Sequence, residues 1–448
     1  MLRFGTDGIR GDAETDLTSD LVVALGAAAA AVFGVDLPFI VGRDTRRSGP
    51  RLRDDLAAGL HSEGAVVRDA GVLPTPGLAF LAASAGSPAL MISASHNPWT
   101  DNGIKLFAPG GRKLDDAAES RIEDELRARF SERAPSRGAA TLDDQSDSVL
   151  PNAEYVEHLV AAVGHRRLDG LRVVLDCANG AAYELGPSLF RTLGADVVVL
   201  HAAPDGTNIN EACGSTDPTD LQAAVVAVGA HAGLAFDGDA DRVLAVDELG
   251  AIVDGDQIMA IAALDMHERG VLRNDAIAVT VMSNLGLHRA LRSAGIGVVE
   301  TPVGDRRVFA AIEDHDLVLG GEQSGHVIFR ELATTGDGIL TGLVLLDRAQ
   351  RAGRSLSALA SVMTRVPQLL ESVRVASRPD IGSAPRLAAE IAAVEAELGD
   401  RGRVLVRASG TEPVIRIMVE APTEAGARHA LDRLRRATEE SFGTAAPG

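Results

Sequence analysis

A serine and a histidine stand side by side in the run Ser93-Ala94-Ser95-His96-Asn97-Pro98, directly after the apolar tetrapeptide Ala89–Ile92. A serine hydroxyl at its free pKa is a weak nucleophile, and an adjacent base or charge is what makes it a covalent catalyst. His96 is the nearest such group. Lys105 follows nine residues after His96, and it is one of only two lysines in the chain, the other being Lys113. Arginine keeps its proton in any protein setting, whereas lysine releases one when burial or a nearby cation lowers its pKa. A lysine kept close to Ser95 and His96 in an otherwise arginine-based sequence marks proton chemistry.

Three further loops downstream carry reactive side chains, and a fourth opens the chain. Asp237, Asp239 and Asp241 alternate directly after an apolar run, and three like charges so close repel unless a divalent cation holds them together. The spacing approaches that of an EF-hand, with Glu248 at the twelfth position. Arg242, however, stands at the sixth, where the sharp turn requires glycine, so that reading is excluded. A haloacid-dehalogenase-type phosphatase with Asp237 as nucleophile stays open, although no lysine follows Lys113 to complete it. Gly320-Gly321-Glu322-Gln323-Ser324-Gly325-His326 gathers a carboxylate, an amide, a hydroxyl and an imidazole able to bind sugar hydroxyls. Arg407-Ala408-Ser409-Gly410-Thr411, with Arg416 beyond it, combines guanidinium charge with N–H and hydroxyl donors and reads as an anion site. The N-terminal run Phe4 to Gly11, rich in glycine, brings Arg10 on a loop able to approach a ligand closely.

These loops need rigid elements behind them. Pro98 keeps Asn97 out of the helical region, so the chain leaves the strand at Ile92 in an extended turn that lifts the serines out of the sheet. Before and after it, short β-branched runs alternate with helical patterns: strands at 39–42, 65–68, 89–92, 171–175, 197–200, 234–236, 276–281 and 297–300, and helices at 51–63, 115–130, 183–193, 218–228, 256–267, 286–293 and 305–314. Alternation of this kind implies βαβ units and mostly parallel sheets. The fold expected is α/β: three consecutive βαβ-type domains with mixed or parallel sheets, at 1–150, 151–252 and 253–367, plus a C-terminal α+β domain at 368–448. The polar stretch 131–148 marks the first boundary.

Composition narrows the function. At 448 residues the chain accommodates several domains, each able to bury a core. A net charge of −20 excludes a general nucleic-acid binder and leaves any anion site to local arginines. Cys177 and Cys213 are too few for a disulfide framework, which points to the cytoplasm. The apolar run 21–35 is too short for a membrane span, which needs about 20 residues.

The stretch Ile92-Ser93-Ala94-Ser95-His96-Asn97-Pro98-Trp99-Thr100-Asp101-Asn102-Gly103-Ile104-Lys105 resembles the active-serine loop of the α-D-phosphohexomutases, and the other three loops follow in that family's order. The resemblance implies a phosphoryl group on Ser95 and one Mg²⁺ held by Ser95, Asp237, Asp239 and Asp241. It makes Lys105, His326, Arg10 and His96 catalytic candidates. Arg242, Glu322, Gln323, Ser324, Arg407, Ser409, Gly410, Thr411 and Arg416 become the substrate contacts, in an active site expected in a central cleft. Alanine at 240 and at 408 departs from the commoner glycine and proline without removing a ligand. Glutamine at position 323 is typical of members acting on glucosamine phosphate.

The activity so implied is isomerisation of glucosamine 6-phosphate to glucosamine 1-phosphate through phospho-Ser95 and a bisphosphorylated sugar, feeding cell-wall precursor synthesis. A sugar bisphosphate or a kinase would load Ser95. The partner expected is a small phosphosugar, without nucleic acid or membrane, in a cytoplasmic enzyme compatible with a homodimer. The rivals are a mannose- or glucose-phosphate mutase, a phosphatase, and a sugar-phosphate sensor without turnover.

Overall fold

Apolar runs and amphipathic helices alternate along the chain and close into four sheets. The computed structural model describes residues 8–131, 152–376, 380–409 and 413–443. The first segment runs β1 (Ile9–Asp12), α1 (Ser19–Phe33), β2 (Phe39–Arg43), α2 (Gly49–Ser62), β3 (Val67–Val72), α3 (Thr75–Ala85), β4 (Ala89–Ile92), β5 (Asp101–Ala108), β6 (Arg112–Lys113) and α4 (Asp116–Ser131). Its strands lie in the order β1-β5-β4-β2-β3, with β6 on β5. β4, β2 and β3 are parallel, while β5 runs antiparallel to both β4 and β1. Leu52, Leu56 and Leu60 recur at helical spacing on α2 and are fully buried, each contributing about 1.5–3 kcal/mol. Glycines let α1 and α2 touch backbone to backbone: a Cβ on Gly59 would lie 2.0 Å from the Val23 carbonyl oxygen.

The second segment comprises α5 (Ala153–Ala162), β7 (Arg172–Asp176), α6 (Leu185–Thr192), β8 (Asp196–Leu200), α7 (Thr219–Val228), β9 (Ala232–Phe236), β10 (Val243–Asp247) and β11 (Ile252–Val253), in the sheet order β11-β10-β9-β7-β8. The third comprises α8 (Gly255–Glu268), β12 (Ala276–Thr280), α9 (Leu285–Ser293), β13 (Gly297–Thr301), α10 (Asp305–Asp314), β14 (Leu319–Gly321), β15 (Val327–Phe329), α11 (Gly338–Ala352) and α12 (Leu356–Ala360), with sheet order β13-β12-β14-β15. The last has β16 (Gln368–Arg374), α13 (Pro385–Leu398), β17 (Arg403–Ala408), β18 (Val414–Glu420) and α14 (Glu424–Phe442) around the antiparallel sheet β16-β18-β17. The architecture is α/β with mixed sheets in three segments, followed by a smaller α+β segment.

The described chain falls into two compact units, one formed by residues up to 282 with 296–362, the other by 283–295 with the residues from 363 on. Helix α9 thus belongs with the C-terminal sheet. Asn284 explains why: its Oδ1 accepts from the Val366 and Gly286 amides and its Nδ2 donates to the Val366 carbonyl, while Glu420 accepts from the Leu285 amide.

Of the elements without a counterpart in the sequence reading, two matter for the site. Strand β5 holds Lys105 in its centre, where both faces are covered and the polar–apolar alternation of a half-buried strand is lost. Helix α11 starts at Asp337, whose Oδ1 accepts from the Leu340 amide. The polar run read as the first boundary lies, beyond Ser131, outside the described residues. Among the described residues no helix is long and apolar enough to cross a membrane. Cys177 and Cys213 are free and buried; burial pushes the Cys213 thiol up to about 12.

Candidate active site

Where β4 ends, the chain turns into a loop braced from below. Ser93 Oγ donates to Asp44 Oδ2 (2.7 Å) and accepts from the Ser95 amide (2.9 Å). Ser95 sits in the left-handed region, with φ at 52°, a conformation that costs an L-residue about 1–2 kcal/mol and survives only where neighbours enforce it. Arg46 is the enforcer. Fully buried, it pairs through Nε with Asp44 Oδ2 at 2.9 Å. Its Nη2 donates to the carbonyls of Ser95 and Asn97 (2.9 Å each), and its Nη1 to those of Pro98 and Asp101. Asn210, from the second segment, donates to the Ser95 and Asn97 carbonyls as well. Burial raises the Asp44 carboxyl, and Arg46 opposes that shift. The result holds Ser95 Oγ, itself buried, 2.5 Å from Asp237 Oδ2 and 3.2 Å from His96 Nδ1.

The aspartates leave the end of β9 in a turn that only a glycine lets approach the serine: a Cβ on Gly238 would lie 2.5 Å from the Ser95 carbonyl oxygen. Ala240 adopts φ 55°, so the alanine does occupy a left-handed position that glycine would fill more easily. Asp237, Asp239 and Asp241 each offer an oxygen, and these atoms lie within 4.8 Å of one another. Thr75, at the start of α3, donates from Oγ1 to Asp239 Oδ2 at 2.6 Å. Lys105, at the centre of β5, reaches the same oxygen at 2.7 Å and Asp241 Oδ2 at 3.2 Å. The remaining oxygens, Asp239 Oδ1 and Asp241 Oδ1, are buried without a hydrogen-bond partner among the described residues. Three all-oxygen donors with two orphaned carboxylate oxygens fit a hard divalent cation such as Mg²⁺. Asp237 and Asp241 are shifted in opposite directions. Burial, then Asp241 and Asp239, push Asp237 well above the usual carboxylate range. Burial would raise Asp241 too, but the cations Lys105, Arg242 and Lys113 hold it below that range.

Cations surround this pair of loops. Arg10, on β1, lies in register with Gly103 on β5. Burial first, then Arg242 and Arg10, lower the His96 imidazole to about 4, so this ring is neutral near pH 7. His326, at the entry to β15, accepts the Gly336 amide on Nε2 at 3.2 Å. Its ring proton is therefore assigned to Nδ1, which is buried with no hydrogen-bond partner among the described residues. Asp305 lies 3.7 Å from the same ring and pairs with Lys113. Both lysines of the chain therefore act on the aspartate cluster, the second from the short strand β6.

The loop from Gly320 to His326 joins β14 to β15. Glu322 Oε1 accepts the Gly304 amide at 3.0 Å, and Ser324 Oγ lies 3.4 Å from its Oε2. The Gln323 carbonyl accepts from Gly255, while Gln323 Nε2 is buried and unpartnered among the described residues. Gly325 needs its freedom, since at φ 91° its Cβ would stand 2.1 Å from the Val243 carbonyl oxygen.

In the C-terminal unit, Arg407 on β17 lies directly opposite Arg416 on β18. Burial and Arg416 lower the Arg407 guanidinium. Like charges facing across a ladder are unfavourable unless an anion joins them, as the sequence reading expects. Ser409 closes the strand pair by donating its amide to the Val414 carbonyl; Gly410 and Thr411 lie outside the described residues.

Within the first compact unit the structure thus brings together Arg10, Ser95, His96, Lys105, the three aspartates, Arg242 and His326, with Glu322, Gln323 and Ser324 on the loop leading to His326. Sequence reasoning missed Asp44, Arg46, Thr75, Lys113 and Asn210. One signal was available: Asp44-Thr45-Arg46 follows β2, whose C-terminal end lies beside that of β4, and such ends carry ligand loops in open parallel sheets.

Comparison with known proteins extends this geometry over the whole chain. Family models described as phosphoglucomutase/phosphomannomutase match in series: alpha/beta/alpha domain I at residues 1–133, domain II at 153–250, domain III at 254–366 and the C-terminal domain at 370–437. A protein of Salinispora tropica named phosphoglucosamine mutase is 51% identical over 453 residues, covering 99% of each chain. Among solved structures, a phosphoglucomutase/phosphomannomutase family protein of Burkholderia thailandensis superposes with a TM-score of 0.78 at 27% identity, over 97% of each chain. The fold is also that of an Aspergillus fumigatus N-acetylphosphoglucosamine mutase solved with GlcNAc-6P and magnesium (TM-score 0.69, 19% identity, 99% of this chain and 96% of that one).

Proposed function

The chain belongs to the phosphoglucomutase/phosphomannomutase family, and we propose that it is the isomerase interconverting glucosamine 6-phosphate and glucosamine 1-phosphate by way of a phosphorylated Ser95. The observation that carries the mechanism is the 2.5 Å contact between the buried Ser95 Oγ and Asp237, inside a cluster of three carboxylates with two orphaned oxygens. The choice of sugar rests on Gln323, whose buried amide nitrogen has no partner among the described residues, and on relatives about half identical throughout.

In the forward half-reaction a sugar hydroxyl oxygen attacks the phosphorus of phospho-Ser95. The new O–P bond forms as the Ser95 Oγ–P bond breaks, and the hydroxyl proton passes to a base of the enzyme. The second half-reaction reverses these changes at the other end of the bisphosphate and returns a phosphoryl group to Ser95. Mg²⁺ on Asp237, Asp239, Asp241 and the serine phosphate would neutralise charge on the transferring group. Lys105, held by Asp239 and Asp241, keeps a positive charge beside that group. Neutral His96 is a poor proton donor at pH 7, given its value of about 4. His326, whose Nδ1 proton has no acceptor among the described residues, is better placed to exchange one with the sugar. Arg407 and Arg416, facing each other across β17 and β18, are the charges we assign to an anion site in the C-terminal unit.

A coupled assay of glucosamine 6-phosphate turnover, run against mannose 6-phosphate and glucose 6-phosphate, tests the reading when combined with intact-mass analysis of the enzyme. Glucosamine 6-phosphate is expected to give the highest kcat/KM, with one phosphoryl group on the active enzyme. Release of inorganic phosphate in step with turnover would make the protein a phosphatase instead, and a preference for mannose or glucose phosphate would move it to another branch of the family.

A further inference from the structure

Away from the reactive loops, a cavity of about 340 Å³ opens between α5, α8 and α11. Its walls change character along the two longer helices. On α11, Thr341, Val344 and Leu345 give way to Arg348 and Arg351; on α8, Ile258, Ile261 and Ala262 give way to Asp265 and Arg269. In each case the spacing is i, i+3, i+4, i+7, which keeps one face toward the cavity. The C-terminal ends meet, because Arg351 donates to both oxygens of Asp265. The cavity is therefore amphipathic along its length.

Each end lacks something a ligand would supply. At the charged end the guanidiniums of Arg166, Arg269, Arg348 and Arg351 share the two lining carboxylates Asp265 and Asp347. Glu268, which does not line the cavity, adds one further carboxylate against Arg348. One positive charge is left over, in a protein whose net charge is −20. At the apolar end Thr341 is 1% exposed, and its Oγ1 has no hydrogen-bond partner among the described residues. An unpaired buried hydroxyl carries its full desolvation cost, so a polar atom arriving there would be bound. From Thr341 to Arg348 is two turns of helix, about 10 Å.

We propose that this cavity binds a small monocarboxylate: a carboxylate head on the arginines, an extended apolar body of about eight carbons along α8 and α11, and a hydroxyl or carbonyl at Thr341, within the size range of small-ligand pockets. A single leftover charge favours a monoanion over a phosphate dianion. The walls accept methylenes, and the guanidinium forks accept a carboxylate in bidentate fashion. The site is separate from the phosphotransfer loops, yet α11 begins on one of them, since Gly338 donates its amide to the Ala240 carbonyl at 3.0 Å.

The test is calorimetric titration of the full-length protein with 8-hydroxyoctanoate, octanoate and 1,8-octanediol. We expect 8-hydroxyoctanoate to bind once per chain and the uncharged diol at least about tenfold more weakly, as loss of a charge-assisted pair requires. Thr341→Val, which keeps the shape and removes an unpaired hydroxyl, should fold normally and bind 8-hydroxyoctanoate no better than octanoate. Val344→Phe, checked for a native melting transition, should abolish binding of all three by filling the cavity. The proposal is overturned if neither acid binds at concentrations up to about 10 mM, weaker than even a millimolar site would allow. It is equally overturned if the diol binds as tightly as the acids, or if Thr341→Val leaves the preference for the hydroxyl intact.

Discussion

Replacing Arg46 by lysine separates guanidinium geometry from mere charge as the agent that holds Ser95. Arg46 uses three nitrogens on five acceptors: the Asp44 carboxylate and the carbonyls of Ser95, Asn97, Pro98 and Asp101. A lysine ammonium has three N–H donors on one atom, so at least two of these five bonds must be lost. At about 1.5–3 kcal/mol for a buried bond to a charged group, the loss comes to about 3–6 kcal/mol. That is enough to release the left-handed strain stored at Ser95, about 1–2 kcal/mol. The residue would relax and draw Oγ away from Asp237. A misplacement of about 1 Å at a reacting atom costs about a hundredfold in rate. The expected Arg46→Lys phenotype is therefore a kcat lower by about two orders of magnitude, a KM within about threefold of wild type, and a lower melting temperature. Arg46→Met should be worse by thermal denaturation, by about 3–5 kcal/mol, because it leaves Asp44 buried without its partner. Asp44→Asn in the same chain should recover part of that loss. Coupled mutase kinetics and circular-dichroism melts measure both effects. An Arg46→Lys enzyme with at least about a third of wild-type kcat and an unchanged melt would refute the argument, since that rate difference is under 1 kcal/mol.

Ser95→Ala should remove phosphoryl incorporation seen by intact mass and lower turnover by several orders of magnitude, with the melt unchanged, because the covalent route is lost. Asp239→Ala frees Lys105 and Thr75 of their shared oxygen and should weaken Mg²⁺ binding in a direct titration; its kinetic loss should fall on kcat, and full activity in excess EDTA would contradict this. Lys105→Arg keeps the charge held by Asp239 and Asp241 and should retain turnover, whereas His326→Gln removes the exchangeable ring proton and should lower kcat by about a hundredfold at similar KM; the reverse order of losses would make Lys105 the proton carrier. Asp337, capping α11 and accepting from Tyr155 Oη at 2.7 Å, is raised by burial to about 6. The stability it contributes is present below its unfolded value of 3.8 and lost as pH rises through about 6. Asp337→Asn should therefore gain on wild type between about pH 4 and 7, by up to about 3 kcal/mol. A melting-temperature difference independent of pH would contradict that assignment.

Much of the chemistry was legible one segment at a time, because each reactive loop is continuous in sequence. Ser95 with His96, the alternate aspartates, Glu322 to His326, and Arg407 with Arg416 are each set by local spacing at the end of a strand, where backbone geometry follows from the residues themselves. The alternation of β-branched runs and helical patterns gave the α/β class for the same reason. What no segment contains is how such loops meet. Lys105 reads as a partner of Ser95 because it is near in sequence, yet β5 turns antiparallel to β4 and carries it to Asp239 and Asp241 of the second segment. Lys113, paired with Asp305, adds its charge to the same cluster from β6. Arg46, about fifty residues before the loop it clamps, acts on carbonyl oxygens that every residue type shares, so its partners leave no trace in composition or spacing. The left-handed turn at Ser95 and the opposite shifts of Asp237 and Asp241 likewise arise only when burial removes water and leaves neighbours from distant strands to set the electrostatics.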